Sequence, residues 1–230
     1  MQIIYFIGFV IVTILGLTAD FTGSNSIKLI TPLPLMFSIW LPIYAGVIGF
    51  AFLQLRMRWR EHYHIYGVRP WFLGSLFLAG LWSYIFKFNI DWLQIGVALL
   101  TVATAYRALW HLNEHRNDAV YVWFVSLPVG LYSGWITLAT TLIVSEALNV
   151  PGSNILYGAY ILGIALIVVV LMLYKAHDVR GYSIALVWGL TGIVLNSLTT
   201  ITPITIVAGI GVLVVLFGLY RKLTRFAIFD

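Results

Sequence analysis

Apolar runs of about 20 residues, separated by short charged or turn-forming stretches, follow one another along the whole chain. Dividing the chain at those polar breaks predicts eight helices, at roughly 2–18, 34–55, 71–88, 92–112, 119–147, 155–175, 182–199 and 203–223. Each run is long enough to cross the hydrocarbon core of a bilayer. The connections are short, so consecutive helices are expected to pack as antiparallel neighbours. The break LTTITP, which divides the last two runs, is the weakest. The first run, MQIIYFIGFVIVTILGLTA, has no basic residue ahead of it and is expected to be a span and not a cleaved signal peptide. The predicted fold class is all-α: a polytopic integral membrane helix bundle of about eight transmembrane helices.

Charge tests that division. Arg56, Arg58, Arg60, Arg69, Arg107, Arg116, Lys175, Arg180, Arg221, Lys222 and Arg225 fall on one set of loops and the C-terminus, against Lys28 and Lys87 on the other. Cytoplasmic loops carry the excess of Lys and Arg, so both termini are expected in the cytoplasm and the first, third, fifth and seventh loops outside. Composition agrees. The chain is 61% hydrophobic and 9% charged, with a mean hydropathy of +0.98, whereas soluble domains carry about a quarter charged residues. The net charge of +5 lies at span ends, where it reports topology, so no nucleic-acid partner is expected. The chain has no cysteine, which excludes disulfides, thiolate catalysis and Cys-ligated metal.

Tryptophan is distributed unevenly. Trp40, Trp59, Trp71, Trp82, Trp92, Trp110, Trp123 and Trp135 lie in the first five helices, and only Trp188 follows. The expected organisation is one membrane domain, residues 1–230, made of a tryptophan-rich five-helix module (1–147) and a three-helix extension (148–230).

Phe37, Trp40 and Tyr44 are spaced i, i+3, i+7 and share one face of helix two. Tyr132, Trp135 and Ala139 repeat that spacing in helix five, and Trp82 and Phe86 stand i, i+4 in helix three. Trp59, Trp71 and Trp92 fall at span ends and fit an interfacial aromatic belt. Trp40, Trp82 and Trp135 lie deeper, where a buried indole N–H wants a partner. Spacing alone fits two arrangements equally: rings packing the bundle, or rings walling a pocket for a flat ligand. Helix five carries a second stripe, Ser126, Gly130, Gly134, Thr137 and Thr141, whose small side chains admit close approach of another helix, and Gly130 and Gly134 form a GxxxG. Its partner is expected within the chain, a second copy being the alternative. Pro42 and Pro128 free carbonyls inside their helices, for neighbouring hydroxyls or a ligand to satisfy.

The pattern F-x-x-W-x-x-x-Y at Phe37, Trp40 and Tyr44, behind Pro32 and Pro34, resembles the second helix of the TspO/MBR family (tryptophan-rich sensory protein, or translocator protein). LWSYIF at 81–86 is similar to the W-S-x-x-F stretch of that family's third helix, and LPVGLYSGWITLAT at 127–140 to its fifth helix in longer bacterial members. The resemblance covers about 1–147. It implies a cavity among helices one to five, beneath the first loop, that takes porphyrins, haem or sterols. Trp40 and Trp135 would be its walls, with Phe37, Tyr44, Trp82, Phe86, Tyr132 and Ala139 as neighbours. Two departures stand out: Ala79 occupies a position where the family often has Asn, and Ile143 and Val144 replace a fifth-helix Asn. The likeness to bacterial members also implies residence in a bacterial inner (plasma) membrane.

Catalytic signals are weak. HLNEH, His111 to His115, matches the zinc-protease pattern H-x-x-E-H, but sits at a helix end beside Arg107 and Arg116 and lacks a third ligand. His62 and His64 read as surface residues. No lysine lies within a late helix to form a Schiff base. Asp20, Asp91, Glu114, Asp118, Asp178 and Asp230 stand at span borders, leaving Glu146 near the outer end of helix five and Asn196 inside helix seven as the polar groups a small transporter would need. No catalytic residue, metal site or required cofactor is therefore expected. The leading expectation is a membrane-embedded binding or sensory protein, not an enzyme, with lipids and a planar hydrophobic molecule as partners. The alternative is a structural or accessory subunit of a larger, pigment-containing membrane complex; a homodimer or complex partners would then cover its surface.

Overall fold

Inside a bilayer every backbone N–H and C=O must find its partner within the protein, and a single apolar run does so only as a helix. The computed structural model describes residues 4, 6–11, 30, 32–55, 63–85, 90–112, 118–148, 155–197 and 202–227, and among them it holds helices and no strand. In chain order these are α1 (described over 6–11), α2 (Trp40–Leu53, entered through a 3-10 turn at Pro34–Ile39), α3 (Tyr63–Ile85), α4 (Asp91–Trp110), α5 (Ala119–Ala147), α6 (Ile155–Lys175), α7 (Arg180–Asn196) and α8 (Pro203–Ala227). Among the described residues five stretches, Pro34–Leu53, α4, α5, α6 and Pro203–Thr224, are long and apolar enough to cross a membrane. The protein is a polytopic helical membrane protein.

The helix directions can be read from what touches what. Gly67 lies against His111 and Ser75 bonds to Thr101, so α3 and α4 run antiparallel. Gly46 meets Pro128 and Gly49 meets Phe124, so α2 and α5 do too. Gly130 meets Gly181 and Gly189 meets Leu138, so α5 and α7, two helices apart in the chain, run parallel. The bundle is organised around α5, which packs on α2, α4, α6 and α7, while α8 lies against α6 and α7. The most apolar stretch of α5 is 83% buried, against 28% for α6 and α8, whose outer faces are left to the lipid.

Both prolines are accommodated by a local change of helix pitch. Pro42 offers no N–H to the carbonyl of Ser38, and the chain ahead of it winds as the tighter 3-10 turn before relaxing into α2. Pro128 follows a π turn at Val122–Ser126, whose wider pitch makes room for the ring. Freed carbonyls were expected to await a hydroxyl or a ligand; near Pro42 one of the 3-10 carbonyls, that of Met36, is taken by an indole N–H from α7.

Two expectations need correction. The third helix starts at Tyr63 and not near 71, so Arg69, assigned to a loop, lies within α3, 1% exposed, with its guanidinium 4.5 Å over the Tyr66 ring. Asn196 is the last residue of α7 and is exposed, not interior. Asp178 stands between two helices, at a border as expected, and its side chain is buried. Lys28, Lys87, Trp59, His62, Arg56, Arg58, Arg60, Arg116 and Phe86 lie outside the described residues.

Candidate functional site

The aromatic faces of α2 and α5 do converge. Trp40 stacks on Tyr44, centroids 5.2 Å apart and planes 20° apart, as their i, i+4 spacing on one helix permits. The Trp40 ring stands edge-on to Tyr132 of α5 at 6.4 Å, and Phe37 meets Trp135 in a T-shaped contact at 5.3 Å. Tyr132 continues inward to Phe72 of α3 at 5.5 Å, and Phe72 to Phe50 and Phe9, 5.6 Å from each. Edge-to-face and offset pairs are the arrangements that aromatic quadrupoles favour. The cluster is graded in depth. Phe9, Phe50, Phe72, Tyr132 and Trp135 are buried and Tyr44 nearly so, whereas Phe37 is 42% exposed and Trp40 half-buried. Of the expected site residues, then, Phe37 and Trp40 present surface while Tyr44, Tyr132 and Trp135 back them. Ala139 is half-buried one turn beyond Trp135, and Trp82 is half-buried seven residues further along α3 than Ser75. Phe9, Phe50 and Phe72 were not singled out by sequence: they come from three different helices, and only the bundle brings them together.

Buried hydroxyls fix α5 against its neighbours on two sides. Ser75 Oγ donates to the Thr101 carbonyl at 2.8 Å, so its one proton is committed and Tyr132 must donate to it across 2.9 Å. On the other side Thr137 Oγ1 donates to the Ser133 carbonyl at 2.8 Å, so Tyr106 donates to Thr137 across 2.9 Å, and its oxygen receives the O–H of Tyr182 at 3.2 Å. This polarity yields a prediction. Tyr106→Phe strands the O–H of fully buried Tyr182 and should cost about 1–3 kcal/mol. Tyr132→Phe leaves Ser75 bonded to Thr101 and should cost below about 1 kcal/mol. Adding Tyr182→Phe to Tyr106→Phe should recover most of the loss in an SDS-unfolding titration; a double variant as weak as the single one would refute the assignment of donors.

The small-residue stripe of α5 finds its partner within the chain. A Cβ on Gly130 would stand 2.8 Å from the Tyr182 nitrogen and 2.9 Å from the Gly181 Cα. One on Gly134 would stand 2.5 Å from the Tyr182 oxygen, and one on Gly181 would stand 2.6 Å from the Leu127 oxygen. Ser126, one turn before Gly130, donates to Asp178 Oδ2 at 2.5 Å. Ser126, Gly130 and Gly134 thus form the seam with α7. Thr137 turns to Tyr106, and Thr141 donates to the Thr137 carbonyl at 2.8 Å, so these two serve the hydroxyl network more than the seam. The answering stripe, Gly181, Ala185 and Gly189, was legible at i, i+4, i+8 but had not been matched to α5.

The polar ends carry anchoring groups. Asp178 accepts from the Arg180 backbone N–H at 3.1 Å, from its guanidinium and from Ser126. Burial alone would raise the pKa of Asp178, but the hydrogen bonds and charge of Arg180 and the Ser126 hydroxyl outweigh it and hold the carboxyl below the ordinary value. Lys222 donates to the Ala176 carbonyl at 2.5 Å, tying α8 to the same loop. At the end of α4, burial and then the charge of Arg107 lower the pKa of His111. The last three residues of HLNEH, 113–115, lie outside the described residues, among which no group of three or more His, Asp or Glu could hold a metal. Arg107 also sits 5.7 Å over the exposed Trp71 ring, and Trp92 is exposed; both fit the interfacial belt. Glu146 is half-buried in the last turn of α5.

An α-helical integral membrane protein with a buried aromatic cluster joining its second, third and fifth helices is the class that fold and site define. Residues 1–220 match the family model described as TSPO-like protein, and the chain belongs to that family. The match continues past residue 147, so α6, α7 and most of α8 fall within it. No curated protein and no solved structure matches the chain.

Proposed function

We propose that the protein is a binding or sensory protein, not an enzyme, that holds a flat hydrophobic ligand of the porphyrin, haem or sterol class against the outer end of its aromatic cluster. The observation that carries this reading is the graded cluster itself: Phe37 and Trp40 offer accessible ring surface, while Tyr44, Tyr132 and Trp135 hold those rings from behind. An aliphatic face would contribute buried area alone. Aromatic faces add about 0.5–1.5 kcal/mol for each well-placed ring pair and restrict the angle at which a planar guest can lie. Ala139 and Trp82 would flank the guest; Phe86 keeps its assignment on sequence alone. No resident cofactor is needed for this role, the planar molecule being the ligand.

The test is a protoporphyrin IX titration of the purified protein in nanodiscs, followed by tryptophan fluorescence. Saturable quenching is expected, with Trp40→Ala weakening binding by about tenfold or more, the loss of one to two ring contacts. Trp135→Phe, which keeps the core filled, should weaken it less. Equal affinity in wild type and both variants would refute the site. A stoichiometric protein partner retained through purification would instead favour the accessory-subunit reading.

A further inference from the structure

The proposed ligand face begins at a weak point of the backbone. Phe37 lies in the 3-10 turn Pro34–Ile39, whose hydrogen-bond geometry is poorer than that of an α-helix, and Pro42 removes the donor that would continue the ladder. Something outside α2 must hold that turn if Phe37 and Trp40 are to keep one orientation. We propose that α7 is the brace and Trp188 its positioning residue, a role that rests on the ligand reading above.

Four contacts support it. Trp188 Nε1 donates to the Met36 carbonyl at 2.9 Å, fixing the peptide plane that leads into Phe37. One turn further along α7, the Gly192 carbonyl accepts the Leu33 N–H at 3.2 Å. Gly192 has no side chain where Met36 packs; a Cβ there would collide with Met36 Cγ. Gly189 leaves the same kind of room for Leu138, and its Cβ would stand 3.4 Å from Cζ3 of Trp135, the ring that Phe37 meets edge-on. One face of α7 therefore touches two buried residues that support the exposed Phe37 ring, Met36 before it in the chain and Trp135 against its edge. The Trp188 ring is 39% exposed, so the brace also borders accessible surface.

Trp188→Phe keeps a six-membered aromatic ring and loses the pyrrole ring with its N–H. It should weaken protoporphyrin IX binding about three- to tenfold, the effect of one net hydrogen bond. Trp188→His, which retains a ring N–H, should recover part of the loss. Because the chain has no native cysteine, a nitroxide on Leu35→Cys, an exposed position in the turn, reports the brace without any ligand. Its EPR spectrum should sharpen in the Trp188→Phe background, while a label on Ile167→Cys, exposed on α6, should not change. An unchanged Leu35→Cys spectrum would overturn the brace whether or not porphyrin binds. A sharpened spectrum with unchanged affinity would overturn the positioning role. Failure of the wild type to bind porphyrin would refute the ligand reading, with the label still deciding the brace.

Discussion

Gly134→Val is expected to destabilise the protein by about 3 kcal/mol or more, at the upper end of overpacking costs, and to collapse its yield in membranes. A Cβ at this position falls 2.5 Å from the Tyr182 carbonyl oxygen and 2.9 Å from the Ala185 Cβ, and the first of those neighbours is backbone that cannot swing aside. Relief requires α7 to move away from α5. That movement would also separate Gly130 from Gly181 and Ser126 from Asp178, which lie along the same parallel seam, and would pull Tyr182 of α7 away from Tyr106 of α4. In lipid no hydrophobic driving force exists to recover the loss, since helices associate there by close packing and polar contacts. Gly134→Ala already introduces the offending atom and should show a smaller loss of the same sign. The control is Gly163→Ala in α6, where a Cβ meets nothing within 4 Å; helix propensity alone predicts a neutral to slightly stabilising change, by up to about 1 kcal/mol. SDS-unfolding midpoints of the three variants decide the matter, and a Gly134→Val protein as stable as Gly163→Ala would refute the seam.

The seam also shows what the sequence could and could not reveal. Hydrophobic run lengths and the lysine–arginine bias gave the helix number and alternation, because lipid imposes both on any chain that spans it. The stripe Ser126, Gly130 and Gly134 was legible as a packing face, yet its partner was not, since several helices carry small residues and only the tertiary arrangement selects α7. The spacing of Phe37, Trp40 and Tyr44 told that they share a face, but not that Phe37 presents surface while Tyr44 is covered: depth is a property of neighbouring helices. Arg69 was misplaced because a charged residue beside Pro70 reads as the end of a span, whereas the helix continues through both, with the Arg69 side chain on the Tyr66 ring. The burial of Asp178 could not be read from the sequence for a related reason. Its position at a border was correct, but its burial depends on Ser126, 52 residues earlier, lying beneath it.

That carboxylate carries the second large expectation. Asp178→Ala should cost about 2–3 kcal/mol, less than the loss of one partner from a fully buried pair, because Arg180 is a third exposed and can turn to water. The buried Ser126 hydroxyl cannot, and it accounts for much of the penalty. Asp178→Asn keeps the shape and an acceptor for Ser126 or the Arg180 backbone, and should lose less. Acid separates charge from shape. Burial pushes the Asp178 pKa up, but Arg180 and Ser126 bring it below the ordinary carboxylate value of 3.8, so the folded protein binds this proton less readily than the unfolded chain. The contribution of Asp178 is then complete above the unfolded value and declines as the pH falls below it towards the folded one. The gap in stability between wild type and Asp178→Asn should accordingly hold steady from neutral pH down to about 5 and narrow below about 4. A gap that stays constant through that acid range would mean that Asp178 stabilises the loop by its shape and not by its charge.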